Sequence, residues 1–252
     1  MRAARLVTAP IATLVLTAHG SRDPRSAANA DAIAGHLRRV APEYAVQVAF
    51  CEQSTPNLRD VLEGPLAGSP GHRAVVVPFL LASAYHARVD IPAMIAQSGA
   101  DVRVAPTLGE DSRLVQVLGE RLTSAGASRF DPKLGVVVAA VGSSHATANA
   151  QTARIAARLS RGTRWAGVEV AFATSGPQPS VPEAVERLRA RGATRLMIAP
   201  WFLAHGLITD RVAGYARQAG IPMAEPLGAH RLVAATVLDR AEAALTARTA
   251  AA

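Results

Sequence analysis

The chain has 252 residues, enough for one large α/β domain or two small ones, and half of it is hydrophobic with only 4% aromatic. Its formal charge is +8, carried almost wholly by arginine because Lys133 is the only lysine. Such a field favours an acidic partner, and arginines scattered along helices rather than massed in runs disfavour nucleic acid and favour an anionic small molecule. The one cysteine, Cys51, excludes a disulfide framework and a paired-cysteine metal site and fits a reducing cytoplasm.

The opening, "MRAARLVTAPIATLVLTAHG", imitates a secretory signal, with arginines before an apolar stretch. Pro10 interrupts that stretch, so it reads better as a first buried strand ending at "TAHGSRDP". No apolar run approaches the ~20 residues of a membrane span. A helical pattern, "RSAANADAIAGHLRRV", comes next, then a strand "VQVAF" closed by "CE". The third strand, "AVVVPFLL", leads into "LASAYHARVDIP", and "PTLGEDSRLV" opens a further helix. After "GASRFDPKLG" the order recurs: "LGVVVAAV", "VEVAFA", the helix "SVPEAVERLRARG", "RLMIAPWFL" and "EPLGAHRLV". Continuous apolar strands alternating with amphipathic helices predict an α/β fold with parallel sheets covered on both faces.

The recurrence has a fixed offset. Gly20 and Gly142, Phe50 and Phe172, and Pro78 and Pro200 are each 122 residues apart. Three separate elements keeping one offset predict an internal duplication, two like halves facing each other across a cleft. We place the boundary at residues 127 and 128. Residues 1–127 form the half that carries the site, and 128–252 form a degenerate repeat that closes the cleft.

A duplication is its own control. Gly-Ser occurs in both halves, at Gly20–Ser21 and Gly142–Ser143, and fits a tight turn with a helix cap. Three polar positions occur in one half alone. His19 is matched by Val141, Glu52 by Thr174 and His86 by Ile208. All three follow strands, at the carboxyl edge where open parallel sheets bind ligands. Two imidazoles and a carboxylate suit a borderline divalent metal such as Fe²⁺, Co²⁺, Ni²⁺ or Zn²⁺, or equally a set of proton acceptors. His205, in a loop after a second-half strand, is placed to reach the cleft from the opposite side. Cys51, next to Glu52, should point the other way, into the core.

At these residues the chain resembles the sirohydrochlorin chelatases of the CbiX and SirB type, among the class II tetrapyrrole chelatases. "LTAHGSRDPRSAAN", "VAFCEQSTPNL", "VVVPFLLASAYHARVDIP" and "VAPTLGED" carry the likeness across most of the first half, and the second half matches the degenerate repeat of the long, fused form. The resemblance implies two flavodoxin-like halves, each a parallel sheet flanked by helices. It implies His19 and His86 as metal-binding and catalytic histidines, joined by Glu52. It implies ATP-independent insertion of Fe²⁺ or Co²⁺, with Ni²⁺ a further substrate, into sirohydrochlorin on the route to siroheme or cobalamin. No cofactor is resident; the metal is substrate. Ser21, Arg22, Ser83, Ala84, Tyr85, Arg88, His205 and Arg211 are the substrate-binding candidates, the arginines as clamps for carboxylates. The expected molecule is a cytoplasmic monomer that binds neither nucleic acid nor membrane. One rival is a non-catalytic cobalt or nickel carrier or sensor, which would keep the His–Glu–His set. Another is an α/β hydrolase, which "AHGS" alone suggests and the lack of a G-x-S-x-G elbow opposes.

Overall fold

The computed structural model describes residues 10–64, 73–82, 86–174 and 176–247, with the backbone alone at 86 and 87. In the first half, β1 (Ala12–Ala18) lies between β2 (Tyr44–Phe50) and β3 (Ala74–Pro78), and a short β4 (Arg103–Val104) pairs with β3. In the second, β5 (Leu134–Ala140) lies between β6 (Gly167–Phe172) and β7 (Arg195–Pro200). All the pairings are parallel. The central strands β1 and β5 are buried along their whole length. That is why they read as unbroken apolar runs, not as alternating ones.

Eight α-helices cover the sheets among the described residues: α1 (Pro24–Val40), α2 (Leu58–Glu63), α3 (Ile91–Ser98), α4 (Ser112–Ser124), α5 (Ala146–Leu159), α6 (Val181–Ala190), α7 (Leu207–Gln218) and α8 (Arg231–Thr246). A single π-helical turn, His86–Asp90, runs into α3. The starts are set by short polar residues. Asp23, Asn57, Asp111 and Ser180 each accept a bond from a backbone N–H of the first turn, and Ser180 and Glu183 form a reciprocal capping pair.

The helices do not stay with their own sheets. α4, which ends the first repeat, packs on α5 and β7 of the second. α8, which ends the second, packs on α1, β3 and β4 of the first, and the two exchanged helices touch each other. Their apolar faces, Leu114, Val117, Leu118 and Leu122 on one and Val233, Val237, Ala241 and Leu245 on the other, belong to a single core that also holds β1 and β5 residues. Smaller clusters on the outer faces are confined to one half each. Arginines fasten the exchange. Arg103 in β4 donates to the carbonyls of Ala244 at 2.9 Å and Leu245 at 3.0 Å, satisfying the end of α8 where no helical partner exists. Arg113 on α4 meets Asp239 on α8 at 2.6 Å, and Arg240 on α8 donates to Asp111, the cap of α4, at 3.1 Å.

His230 begins α8. Its Nδ1 accepts from the N–H of Leu232 at 3.2 Å, while Nε2 lies 3.2 Å from a Glu120 carboxylate oxygen. This is the neutral ring with its hydrogen on Nε2. Burial, aided by Arg121, Arg231 and His36, lowers its pKa against the opposing pull of Glu120. The unfolded chain therefore takes up this proton first, and the stability His230 supplies is present above about pH 6.5 and lost as pH falls through it. We expect the melting temperature to drop between about pH 7.5 and about pH 5.5, and His230→Asn, which keeps an acceptor cap without titrating, to reduce that drop. Melting curves of both proteins across that range check it.

Candidate metal and tetrapyrrole site

β1 and β2 continue beside each other past their ends. The N–H of Cys51 donates to the carbonyl of Ala18 and that of Glu52 to the carbonyl of His19, both at 3.0 Å. This lays His19 and Glu52 side by side, with His19 Nε2 3.5 Å from Glu52 Oε1. Both side chains are part-exposed, at 39% and 48%, so solvent can reach them. Gln53 follows with φ +57, and its amide donates to Glu52 Oε1 at 3.0 Å. Ser54 stitches the two loops, accepting from the N–H of Ser21 at 3.1 Å and donating to the Ser21 carbonyl at 3.0 Å. Cys51 faces the core, 4% exposed, and burial pushes its thiol up to about 11.

Gly20 makes the arrangement possible. It sits at φ +95, and a methyl group placed on it would lie 1.7 Å from the Glu52 carbonyl oxygen. β3 flanks β1 on the side away from β2, and His86 opens the π-helical turn that follows β3. The three selected positions thus follow three neighbouring strands in the chain; the His86 side chain lies outside the described residues, as do Ser83, Ala84 and Tyr85.

A cleft of about 460 Å³ opens at this edge between the halves, within the ~300–1,000 Å³ usual for ligand pockets. His19, Ser21 and Leu80 line it from the first half, and Val141, Ser143, His205 and Ile208 from the second. His205 therefore reaches the cleft, where it pairs with Glu225 at 2.8 Å. Arg22, Arg88 and Arg211 are exposed and are not among the cleft-lining residues. Sequence reasoning passed over a different arginine. Arg25 grips Asp23 and reaches across to Asp210 of α7 with two bonds, of 3.1 and 2.5 Å. Arg25 holds Asp23 down to about 2 and lowers Asp210. Their contribution is therefore present above about pH 4 and is lost as pH falls toward 2. The "RDPR" string signals a helix cap but not its partner in the other half. Asn29 adds a second tie, donating to the Leu203 carbonyl at 3.0 Å.

The second half repeats the scaffold without the chemistry. Thr174 N–H donates to the Val141 carbonyl at 3.1 Å, and Gly142 has φ +87. Phe50 and Phe172 donate to Pro56 and Pro179 at 3.0 and 2.9 Å. Val141 and Thr174 stand on the same strand-end pairing that carries His19 and Glu52, and Ile208, the counterpart of His86 by the 122-residue offset, lies in α7.

A larger groove of about 1440 Å³ runs beside α4 and α5. Three of its arginines are committed internally, Arg240 to Asp111, Arg158 to the Glu110 carbonyl and Arg129 to the carbonyls of Arg161 and Gly162. No histidine among the described residues lines it, and we place the site in the smaller cleft.

The CbiX family model matches this chain twice, over residues 13–125 and 135–244. The chain belongs to the CbiX family. It is 26% identical over 213 residues to a sirohydrochlorin cobaltochelatase of Priestia megaterium, covering 82% of this chain and 69% of that protein. It is 23% identical over 199 residues to a sirohydrochlorin ferrochelatase of the same organism, covering 77% of this chain and 74% of that one. Among solved structures, SirB from Bacillus subtilis with Fe³⁺ superposes with a TM-score of 0.77 at 20% identity, over 93% of this chain and 95% of that one. The last likeness is one of fold, and it agrees with the expected pair of parallel-sheet halves. Among the described residues no helix is long and apolar enough to cross a membrane.

Gly20→Ala should cost about 2–4 kcal/mol, because the new methyl meets fixed backbone at a left-handed φ. Gly142→Ala meets the Thr174 hydroxyl at 2.7 Å and the Phe172 and Pro177 side chains at 3.1 Å, with no backbone atom among them, and should cost less. Urea midpoints of the two variants compare them directly.

Proposed function

We propose that this protein is a sirohydrochlorin chelatase that inserts a divalent metal, Fe²⁺ ahead of Co²⁺, without ATP. The observation that carries the reading is the one-sided site. His19 and Glu52 meet at 3.5 Å beside the cleft, and His86 opens the turn after the neighbouring strand. The same backbone in the second half carries no such set. On this reading residues 1–127 supply the chemistry and 128–252 the opposing wall, with each half's last helix lent to the other. The family membership and the names of the Priestia megaterium relatives support it.

The chemistry follows from the residues. Metallation removes two pyrrole N–H protons as the macrocycle gains a dication, so the metal must be held with positions open and the protons need acceptors. Neutral imidazoles at His19 and His86 hold the metal substrate while pyrrole nitrogens replace its water. Glu52, beside His19, is the carboxylate that can join the metal or receive a proton. The substrate's carboxylates project past the cleft to Arg22, Arg88 and Arg211, and Ser21, Ser83, Ala84, Tyr85 and His205 contact its edge. Since one chain supplies both walls, the active form is a monomer, and the lone buried cysteine suits a cytoplasmic setting.

Purified protein with sirohydrochlorin and Fe²⁺ or Co²⁺, without ATP, should show the absorbance change of metallation well above the uncatalysed rate. His19→Ala and His86→Ala should each lower the rate roughly 10²-fold or more, while His145→Ala changes it little. Metal binding without acceleration by Fe²⁺, Co²⁺ or Ni²⁺ would overturn the enzyme reading in favour of a carrier.

A further inference from the structure

Where the first half places His19, the second exposes an apolar side chain. Val141 is 42% exposed and Leu207 68%, and both line the cleft beside Ile208. Single exposed apolar side chains are common on any surface, but adjoining ones that line a cleft mark a ligand-binding face. The exposure of Val141 is not a by-product of a loosened loop, for its carbonyl accepts from the Thr174 N–H at 3.1 Å and from the Thr174 hydroxyl at 2.5 Å. The opposite wall also offers apolar surface, from the half-buried Leu80 and Leu81. A slot with an imidazole on one side and rigid aliphatic groups on the other fits a flat, conjugated molecule. Its face can lie on the aliphatic wall while its centre looks toward the metal.

We infer that Val141 and Leu207, with Ile208, are a substrate-binding wall: they hold the face of the tetrapyrrole ring across the cleft from the metal held at His19. The inference rests on the chelatase reading and assigns this role to residues of the half that lacks the His–Glu–His set. These side chains act on the macrocycle and not on the metal, so the two binding events separate.

The test measures both on the intact protein. Metal-free sirohydrochlorin is titrated by its fluorescence, and Co²⁺ alone by calorimetry. The double variant Val141→Asn, Leu207→Ser should bind the macrocycle roughly tenfold more weakly and raise KM with kcat largely kept, because it removes ground-state contact. Its Co²⁺ affinity should stay within about twofold, and Val141→Leu alone, which keeps aliphatic contact, should retain wild-type macrocycle affinity. Both substituted side chains are exposed, so folding should survive, and a melting curve verifies it. Unchanged macrocycle affinity in the double variant would overturn the inference, as would parallel loss of Co²⁺ binding. Wild-type protein that binds no macrocycle would instead overturn the chelatase reading, and this one with it.

Discussion

A methyl group on Gly20 would sit 1.7 Å from the Glu52 carbonyl oxygen, so the loops after β1 and β2 can run this close only because residue 20 has no side chain. The site depends on that approach. It lets the Glu52 N–H reach the His19 carbonyl, which fixes two side chains from different strands as neighbours. It also lets Ser54 close over Ser21. A site of this kind is preorganised by main chain, and its side chains need little ordering when a ligand arrives. The second half keeps the equivalent main-chain bond, from the Thr174 N–H to the Val141 carbonyl, but there the atoms nearest a methyl on Gly142 belong to side chains.

The rigidity of the cleft has a second source in the exchanged helices. Had α4 and α8 stayed with their own sheets, the halves would meet only at their edges and could hinge. Instead each sheet is covered by a helix belonging to the other repeat, and one core runs through both. Opening the cleft widely would therefore expose buried leucines and valines, which is costly. At the mouth the Arg25–Asp210 pair adds a tie that is solvent-exposed and hence weak, a contact that can yield without disturbing the core.

Much of this was legible in the sequence. Buried parallel strands produce long apolar runs, and a constant offset between such runs exposes a duplication whatever the fold. The contrast between His19 and Val141, or Glu52 and Thr174, needed only that offset. The exchange of α4 and α8 was not legible, because an apolar stripe such as Leu114–Leu118–Leu122 says that a helix is covered and not by which sheet. Arg25 escaped for a similar reason: its partner Asp210 is 185 residues away, and nothing local marks the pair. Gly20 read as a turn residue, which it is, but the carbonyl that excludes any side chain comes from the neighbouring strand.

The asymmetry of the halves follows from what a cleft between duplicates must do. Two identical metal sites facing each other would place two divalent ions across one narrow slot, and their repulsion, weakly screened between protein walls, would raise the cost of filling either. A planar substrate with one metal-binding centre needs only one ion. It also needs a surface that holds the ring without competing for the metal. Replacing imidazole and carboxylate by valine and threonine on an unchanged backbone removes the second ion and supplies that surface at once. The retained hydrogen bond from Thr174 to Val141 is then no relic: it keeps the apolar wall at the position the duplicated fold had already placed opposite His19.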